Sequence, residues 1–232
     1  MAVFRLVLIL GLFVVGYKTK SVLILGGNGF LGGEATKQLS NAGHKVTVLN
    51  RGNQYFDSAR RLHPYIHEHI ECDRKTLLRE TCKELIDSSG YDVIIDFSSY
   101  EGHQIEQIID LFHKKTSLYI FISTDAVYDV RDKNHTGRTL ESDSLNPIPD
   151  RKQRDKVFGS HKYGLKKFEC EERLKDQRSR FGMPFIILRL ADAIGARDTT
   201  QRWWVYQVWM KLQSFLDLPV PMPRSIMDVP FR

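Results

Sequence analysis

A glycine-rich segment between a predicted strand and a predicted helix constrains the fold of this chain more than any other feature. Residues 22–25 are a short apolar run that ends in glycines, a pattern typical of a buried parallel strand. Residues 30–41 carry apolar side chains at helical spacing on one face. Between them the chain has the spacing G-x-x-G-x-x-G, at Gly26, Gly29 and Gly32. This pattern predicts a strand that turns tightly and leads directly into a helix.

The three glycines also indicate a site for a diphosphate. Gly26 permits the tight turn, Gly29 lets the backbone approach the diphosphate, and Gly32 lets the helix pack close to the strand. The phosphate charge then lies at the N-terminus of the helix. Such a spacing also occurs in ordinary turns, but the flanking strand and helix and a second strand at the right distance favour the binding site. We therefore predict that this segment, including Phe30 and Leu31, binds the pyrophosphate of NAD(P).

The rest of the chain alternates predicted strands and helices. Strands are predicted at residues 22–25, 45–49, 66–72, 92–96, 118–123 and 184–189. Helices are predicted at residues 30–41, 77–88, 104–114 and 160–181. This order predicts an α/β fold with a doubly wound parallel sheet, a Rossmann fold, which binds ligands at the carboxyl ends of its strands. The binding domain is expected at residues 18–195, and residues 196–232, with an apolar helix rich in tryptophan, are expected to begin a substrate-binding region.

Composition limits the partners and argues against a metal site. The formal net charge is +6, which suits anionic partners such as phosphorylated cofactors, nucleotide sugars or RNA. The basic residues lack the aromatic interleaving expected of an RNA-binding surface, so RNA is the less favoured partner. The three cysteines are an odd and sparse set without metal-ligand spacing, which argues against a disulfide framework and for structural roles. No metal site is predicted.

Residues 1–17 form a hydrophobic segment that is separate from the domain. Arg5 precedes twelve uncharged residues, 6–17, and Lys18 and Lys20 follow them. A membrane-spanning helix needs about 20 apolar residues, whereas this length matches the core of a signal peptide. Entry to the secretory pathway is slightly favoured, in which case Asn134 would be a glycosylation acceptor. The alternative is a cytoplasmic protein whose extension packs on the domain or lies on a membrane surface.

Tyr163 and Lys167 form a Y-x-x-x-K pair at the start of the predicted long helix. Residues four apart lie on the same face of a helix, one turn from each other. The lysine charge favours the phenolate and lowers the pKa of the tyrosine from its usual value near 10. The tyrosine can then act as a general base or acid on a substrate hydroxyl or carbonyl.

The residues after the second strand bear on the choice of cofactor. A site that prefers NAD would have Asp or Glu there to bind the ribose hydroxyls. This chain has Asn50 and Arg51 instead. Because an arginine accommodates the additional phosphate of NADP, NADP is favoured over NAD.

Taken together, these segments resemble the extended form of the short-chain dehydrogenase/reductase superfamily, which includes NAD-dependent epimerases and dehydratases. The resemblance runs from residue 21 to residue 229 and is greatest to the branch related to chloroplast stem-loop-binding proteins. It includes residues 123–128 after the fifth strand and residues 188–195 with the turn that follows. One departure is Ala191, where many relatives have proline. The resemblance also implies a substrate domain that is truncated in this chain.

The resemblance implies roles for further residues. By the family's spacing, Thr124 is the hydroxyl that bonds the substrate oxygen, and Ser123 is a neighbour that could substitute for it. Asp73 matches the position that contacts the adenine. Residues 96–100 pass beside the cofactor and are expected to serve backbone shape and packing.

These observations predict an NAD(P)-dependent oxidoreductase of the epimerase/dehydratase type that acts on a nucleotide-linked or other polar sugar. A homodimer is a further expectation from the family. One alternative is a non-catalytic NAD(P)-binding module that binds RNA or acts as a scaffold. Another is an inactive truncated isoform that exposes an aromatic face at Trp203, Trp204 and Trp209.

Overall fold

The computed structural model describes residues 18–53, 57–74, 82, 85, 88–133, 135–146 and 161–216. Its strands are β1 (Ser21–Leu25), β2 (Lys45–Asn50), β3 (Glu68–Glu71), β4 (Tyr91–Asp96), β5 (Thr116–Thr124) and β6 (Phe185–Leu190). Its helices are α1 (Phe30–Asn41), α2 (Ser58–Leu62), α3 (Gly102–Phe112), α4 (Lys162–Phe181) and α5 (Arg202–Leu216).

The six strands form one parallel sheet in the order β3-β2-β1-β4-β5-β6. The predicted doubly wound Rossmann fold is therefore confirmed. The strand order reverses between β1 and β4, where Leu25 lies opposite Asp96. Sheets of this kind bind ligands in the crevice outside the carboxyl ends of the strands at such a reversal.

Each face of the sheet carries its own apolar cluster. Leu23, Leu25 and Ile94 belong to one cluster, which also contains apolar residues of α3 and α4. Ile24 and Val48 belong to the other, beneath α1. Because the central strands are covered on both faces, they read in sequence as continuous apolar runs. The burial of these strands gives their carboxyl ends a rigid support.

Two local features differ from the sequence prediction. The third strand, Glu68–Glu71, is shorter than the predicted residues 66–72, and α2 and a 3₁₀ turn at His63–Tyr65 precede it. The argument against a disulfide framework also did not anticipate one bridge, since Cys72 and Cys82 are joined with their Cα atoms 5.6 Å apart. Spacing along the chain did not reveal that residue 82 returns to the end of β3. Cys170 is a free, buried cysteine.

Several predictions fall outside the described residues: the segment 1–17, the sequon residue Asn134, most of the predicted helix 77–88, and residues 217–232. Of the helices in the described ranges, none is both long enough and apolar enough to cross a membrane. α5 is present as predicted, and Trp204, Met210 and Phe215 expose more than half of their surface on it.

Candidate functional site

One cleft of about 800 Å³ lies at the carboxyl ends of the strands. All the residues predicted to be catalytic or to bind the cofactor line this cleft: Gly26, Gly29, Phe30, Leu31, Gly32, Asn50, Arg51, Asp73, Thr124, Tyr163 and Lys167. They come from segments up to 141 residues apart, counted from Gly26 to Lys167. The fold therefore brings the nominated residues to a single site, while their individual roles stay predictions.

The glycine turn has the geometry that a close diphosphate site needs. Gly26 has φ +82°, a conformation that favours glycine. A Cβ atom on Gly32 would collide with the carbonyl oxygen of Gly26, so only glycine lets α1 begin this close to β1. α1 has the N-cap Gly29, without a side-chain cap, and no acidic residue in its first turn. The positive end of its dipole therefore faces the cleft without a protein anion in that turn.

The turn after β2 shapes the other end of this cleft. The side chain of Asn50 accepts a hydrogen bond of 2.8 Å from the Gly52 amide, which folds the turn. The Asn28 side chain donates to the Asn53 carbonyl at 2.6 Å and joins the glycine turn to this loop. Asn50 thus acts on the shape of the turn, and the exposed Arg51 places a positive charge at this end of the cleft.

Lys167 lies at the floor of the cleft and is only 2% exposed. Its Nζ atom donates to the carbonyl oxygens of Ser99, at 2.9 Å, and Ile122, at 2.6 Å. Two of the three ammonium hydrogens are thereby directed by backbone acceptors. Burial lowers the pKa of Lys167 to about 8, although the nearby negative charge of Asp96 acts in the opposite direction.

Tyr163 lies one turn earlier on α4 and is 49% exposed, at the mouth of the cleft. Its ring centroid is 6.1 Å from that of Tyr100, a second half-exposed tyrosine that lines the cleft. The Lys167 Nζ atom is 5.4 Å from the centroid of the Tyr100 ring. The two phenol rings therefore form one wall above the lysine.

The start of α4 packs directly on the end of β5. A Cβ atom on Gly164 would collide with the carbonyl oxygen of Ala126, so this position needs a residue without a side chain. Thr124, at the end of β5, accepts a hydrogen bond of 3.2 Å from the Ala126 amide. This close packing places the hydroxyl of Thr124 and the phenol of Tyr163 at the same end of the sheet.

Ser123 is engaged elsewhere. Its hydroxyl donates at 2.6 Å to Glu171, which is fully buried. Glu171 forms a bidentate pair with Arg189, at 3.0 Å to Nε and 2.6 Å to Nη2. The Thr124 hydroxyl donates a longer hydrogen bond of 3.3 Å to the neighbouring Asp125. The shorter bond from Ser123 to a fully buried carboxylate therefore favours Thr124 over Ser123 as the hydroxyl available to a ligand.

Asp96 is a residue whose role the sequence analysis missed. It is fully buried and accepts hydrogen bonds from Arg74 at 3.1 Å, from the Tyr119 hydroxyl at 2.6 Å and from the Ser99 hydroxyl at 2.5 Å. Burial alone would raise the pKa of Asp96, but the Arg74 charge and the hydrogen bonds from Ser99 and Tyr119 lower it below its usual value. An aspartate at the end of an apolar strand is the sequence signal that could have indicated this buried pair.

Asp96 connects the two ends of the cleft. Arg74 directly follows Asp73, the predicted adenine contact, whereas Ser99 accepts the hydrogen bond from Lys167. The amide of Ser99 also donates to Asp96 at 2.9 Å.

Within the described residues, no group of three or more His, Cys, Asp or Glu side chains could hold a metal ion.

Comparison with known proteins gives consistent results. The model of the NAD dependent epimerase/dehydratase family matches residues 22–212. The chloroplast stem-loop binding protein of 41 kDa b from Arabidopsis thaliana is 28% identical over 125 residues, which are 50% of this chain and 32% of that protein.

Among solved structures, the enzyme WbmH of Bordetella bronchiseptica in complex with NAD+ has a TM-score of 0.62 at 16% identity, over 84% of this chain and 63% of that one. The UDP-Glc/GlcNAc 4-epimerase of Campylobacter jejuni has a TM-score of 0.57 at 21% identity, over 72% of this chain and 52% of that one. These structures show the shared fold, and the chain spans less than two thirds of each relative. The family match covers most of the chain, and on that ground the protein belongs to the NAD dependent epimerase/dehydratase family.

Proposed function

We propose that this protein binds a nicotinamide dinucleotide and catalyses a reversible oxidation or reduction of a carbon that carries a hydroxyl group in a polar sugar. The observation that carries the proposal is the position of Tyr163 and Lys167 in the same cleft as the glycine turn. Membership of the family supports a nicotinamide cofactor and an oxidoreductase-like role at the coarse level. The residues present fit such a cofactor, since Gly32 has no room for a side chain beside the turn.

Three side chains would carry the proton chemistry. The Tyr163 phenol exchanges the proton of the substrate hydroxyl, and Thr124 orients the oxygen. The Lys167 ammonium stabilises the phenolate and binds the ribose next to the nicotinamide. The nicotinamide, when bound, accepts or supplies the hydride.

The substrate class follows from relatives rather than from this chain. The Campylobacter jejuni relative is a UDP-Glc/GlcNAc 4-epimerase. We extend to this protein only the broader class, a nucleotide-linked or other polar sugar. The formal net charge of +6 is compatible with an anionic substrate of this kind.

We also propose that NADP is preferred to NAD. Arg51 lines the cleft beside the turn after β2, where a cation can bind the 2′-phosphate of the adenosine ribose.

Self-association as a homodimer is a further part of the proposal, to be tested by sizing of the purified protein.

The deciding experiment uses the full chain and its Tyr163→Phe variant. NADPH and NADH are titrated while nicotinamide fluorescence and melting temperature are followed, and turnover is then measured on a panel of nucleotide sugars. Micromolar binding by both proteins, with turnover lost in the variant, supports the enzyme. A well-folded chain that binds neither cofactor overturns the proposal.

A second candidate is a non-catalytic module that binds RNA. It is favoured by the similarity to the chloroplast stem-loop binding protein. RNA binding that weakens steeply with salt and is unaffected by Tyr163→Phe supports this candidate over the enzyme.

A further inference from the structure

A smaller recess adjoins the cleft at the carboxyl ends of β2 and β3. It has a volume of about 360 Å³ and is lined by Arg51, Asn53, Glu71, Cys72 and Asp73. Four of these residues also line the main cleft, whereas Glu71 lines only the recess. A ligand in the main cleft can therefore extend a substituent into the recess, where it meets Glu71.

Glu71 packs directly against the turn that carries Arg51. It is the last residue of β3 and lies opposite Asn50 in the sheet. A Cβ atom on Gly52 would lie 2.8 Å from Oε2 of Glu71 and closer still to Oε1. The carboxylate therefore lies against the backbone of the residue that follows Arg51.

The recess contains side chains of opposite charge. Arg51 contributes one positive charge, whereas Glu71 and Asp73 contribute two carboxylates. A ribose with free hydroxyls can donate hydrogen bonds to carboxylates. A phosphate on the same ribose only accepts them and is repelled by a neighbouring negative charge.

We infer that Glu71 is a specificity-determining residue that weakens binding of the 2′-phosphorylated dinucleotide and limits the preference that Arg51 creates. The inference rests on the proposed function, because it assigns the recess to the adenosine ribose of the cofactor. It predicts that the preference for NADP over NAD is small, because the attraction of the 2′-phosphate to Arg51 is reduced by its repulsion from Glu71.

The test compares dissociation constants for NADPH and NADH in the full chain and in three variants. We expect Glu71→Gln to tighten NADPH binding about fivefold, the size of effect for one partly screened charge a few ångströms from a phosphate, and to leave NADH within about twofold. Arg51→Gln weakens NADPH selectively. Glu68→Gln, the same charge change at the other end of β3, leaves the ratio of the two constants unchanged.

Salt dependence adds a readout that a structural effect would not produce. The gain in NADPH affinity on Glu71→Gln shrinks as ionic strength rises, because screening weakens the repulsion. Melting temperatures establish that the variants are folded.

Two kinds of failure are distinguishable. If both cofactors bind and Glu71→Gln leaves their ratio unchanged, this inference is overturned and the proposed function stands. If no folded variant binds either cofactor, the proposed function fails and the inference fails with it.

Discussion

The ammonium group of Lys167 donates a hydrogen bond of 2.9 Å to the backbone carbonyl of Ser99. Ser99 in turn is held through both its amide and its hydroxyl by the buried carboxylate of Asp96. The position of the proposed catalytic lysine therefore depends on a carboxylate that does not touch it. This dependence makes Asp96 a positioning residue for Lys167.

Replacement of Asp96 by asparagine should destabilise the fold and disturb the lysine. The change leaves the guanidinium of Arg74, which is 6% exposed, without its counter-charge. Breaking a buried pair in this way costs about 3 to 5 kcal/mol. Urea unfolding measures the loss, with Asp176→Asn as control, since its pair with Arg180 is exposed and contributes about 0 to 1 kcal/mol. Equal stability of the two variants would contradict the prediction.

The pH dependence of turnover should show the loss of the proton from Lys167. Because burial lowers the pKa of Lys167 to about 8, the ammonium is lost as the pH rises through that value. We expect kcat to fall on the alkaline side of about pH 8, since a neutral amine no longer stabilises the phenolate. Rate measurements between pH 6 and pH 10, roughly spanning the relevant pKa values, check this. A rate that stays constant to pH 10 would count against a protonated lysine in the mechanism.

The buried ammonium of Lys167 should also destabilise the folded protein. Its pKa is lower in the folded chain than the usual 10.5, so folding disfavours the cation. The penalty is fully present below about pH 8 and disappears as the pH rises to 10.5, where the unfolded chain also loses the proton. We expect Lys167→Met to abolish turnover yet raise stability at pH 7 by up to roughly 3 kcal/mol. An inactive variant that is no more stable would show that the hydrogen bonds to Ser99 and Ile122 offset the burial.

The substitution Gly32→Ala should weaken cofactor binding. The added methyl group collides with the Gly26 carbonyl and displaces α1 from the turn. We expect dinucleotide affinity to fall by at least about tenfold, since the helix N-terminus then no longer faces the phosphates. Fluorescence titration measures the effect, with Gly137→Ala as a control, where an added Cβ has its nearest neighbour at 3.4 Å. Unchanged affinity would remove this turn from the binding site.

We propose that the chain enters the secretory pathway, on the basis of the uncharged run at residues 6–17. Asn134 would then carry a glycan, and treatment with a glycosidase should increase the electrophoretic mobility of the expressed protein. Asn134→Gln should abolish that shift. A protein that shows no shift and is recovered with cytoplasmic markers would support the alternative compartment.

Local patterns were sufficient for the parts of the site that lie within one strand, turn or helix. The glycine spacing predicted the turn after β1, because backbone conformation and close packing there depend on residues a few positions apart. The pair Tyr163 and Lys167 shares a helix face by the same local periodicity. The parallel sheet followed from the alternation of apolar runs and helices.

Contacts between distant segments were decided only by the tertiary structure. Arg74 meets Asp96 across 22 positions, Lys167 meets Ser99 across 68, and Cys72 meets Cys82 across 10. Glu71 approaches Gly52 because β2 and β3 are neighbours in register. A single sequence does not encode such pairs in its spacing, since they arise from how strand ends are placed side by side. Burial then gives a charged or polar residue its role, because a group removed from water must find its partner within the fold.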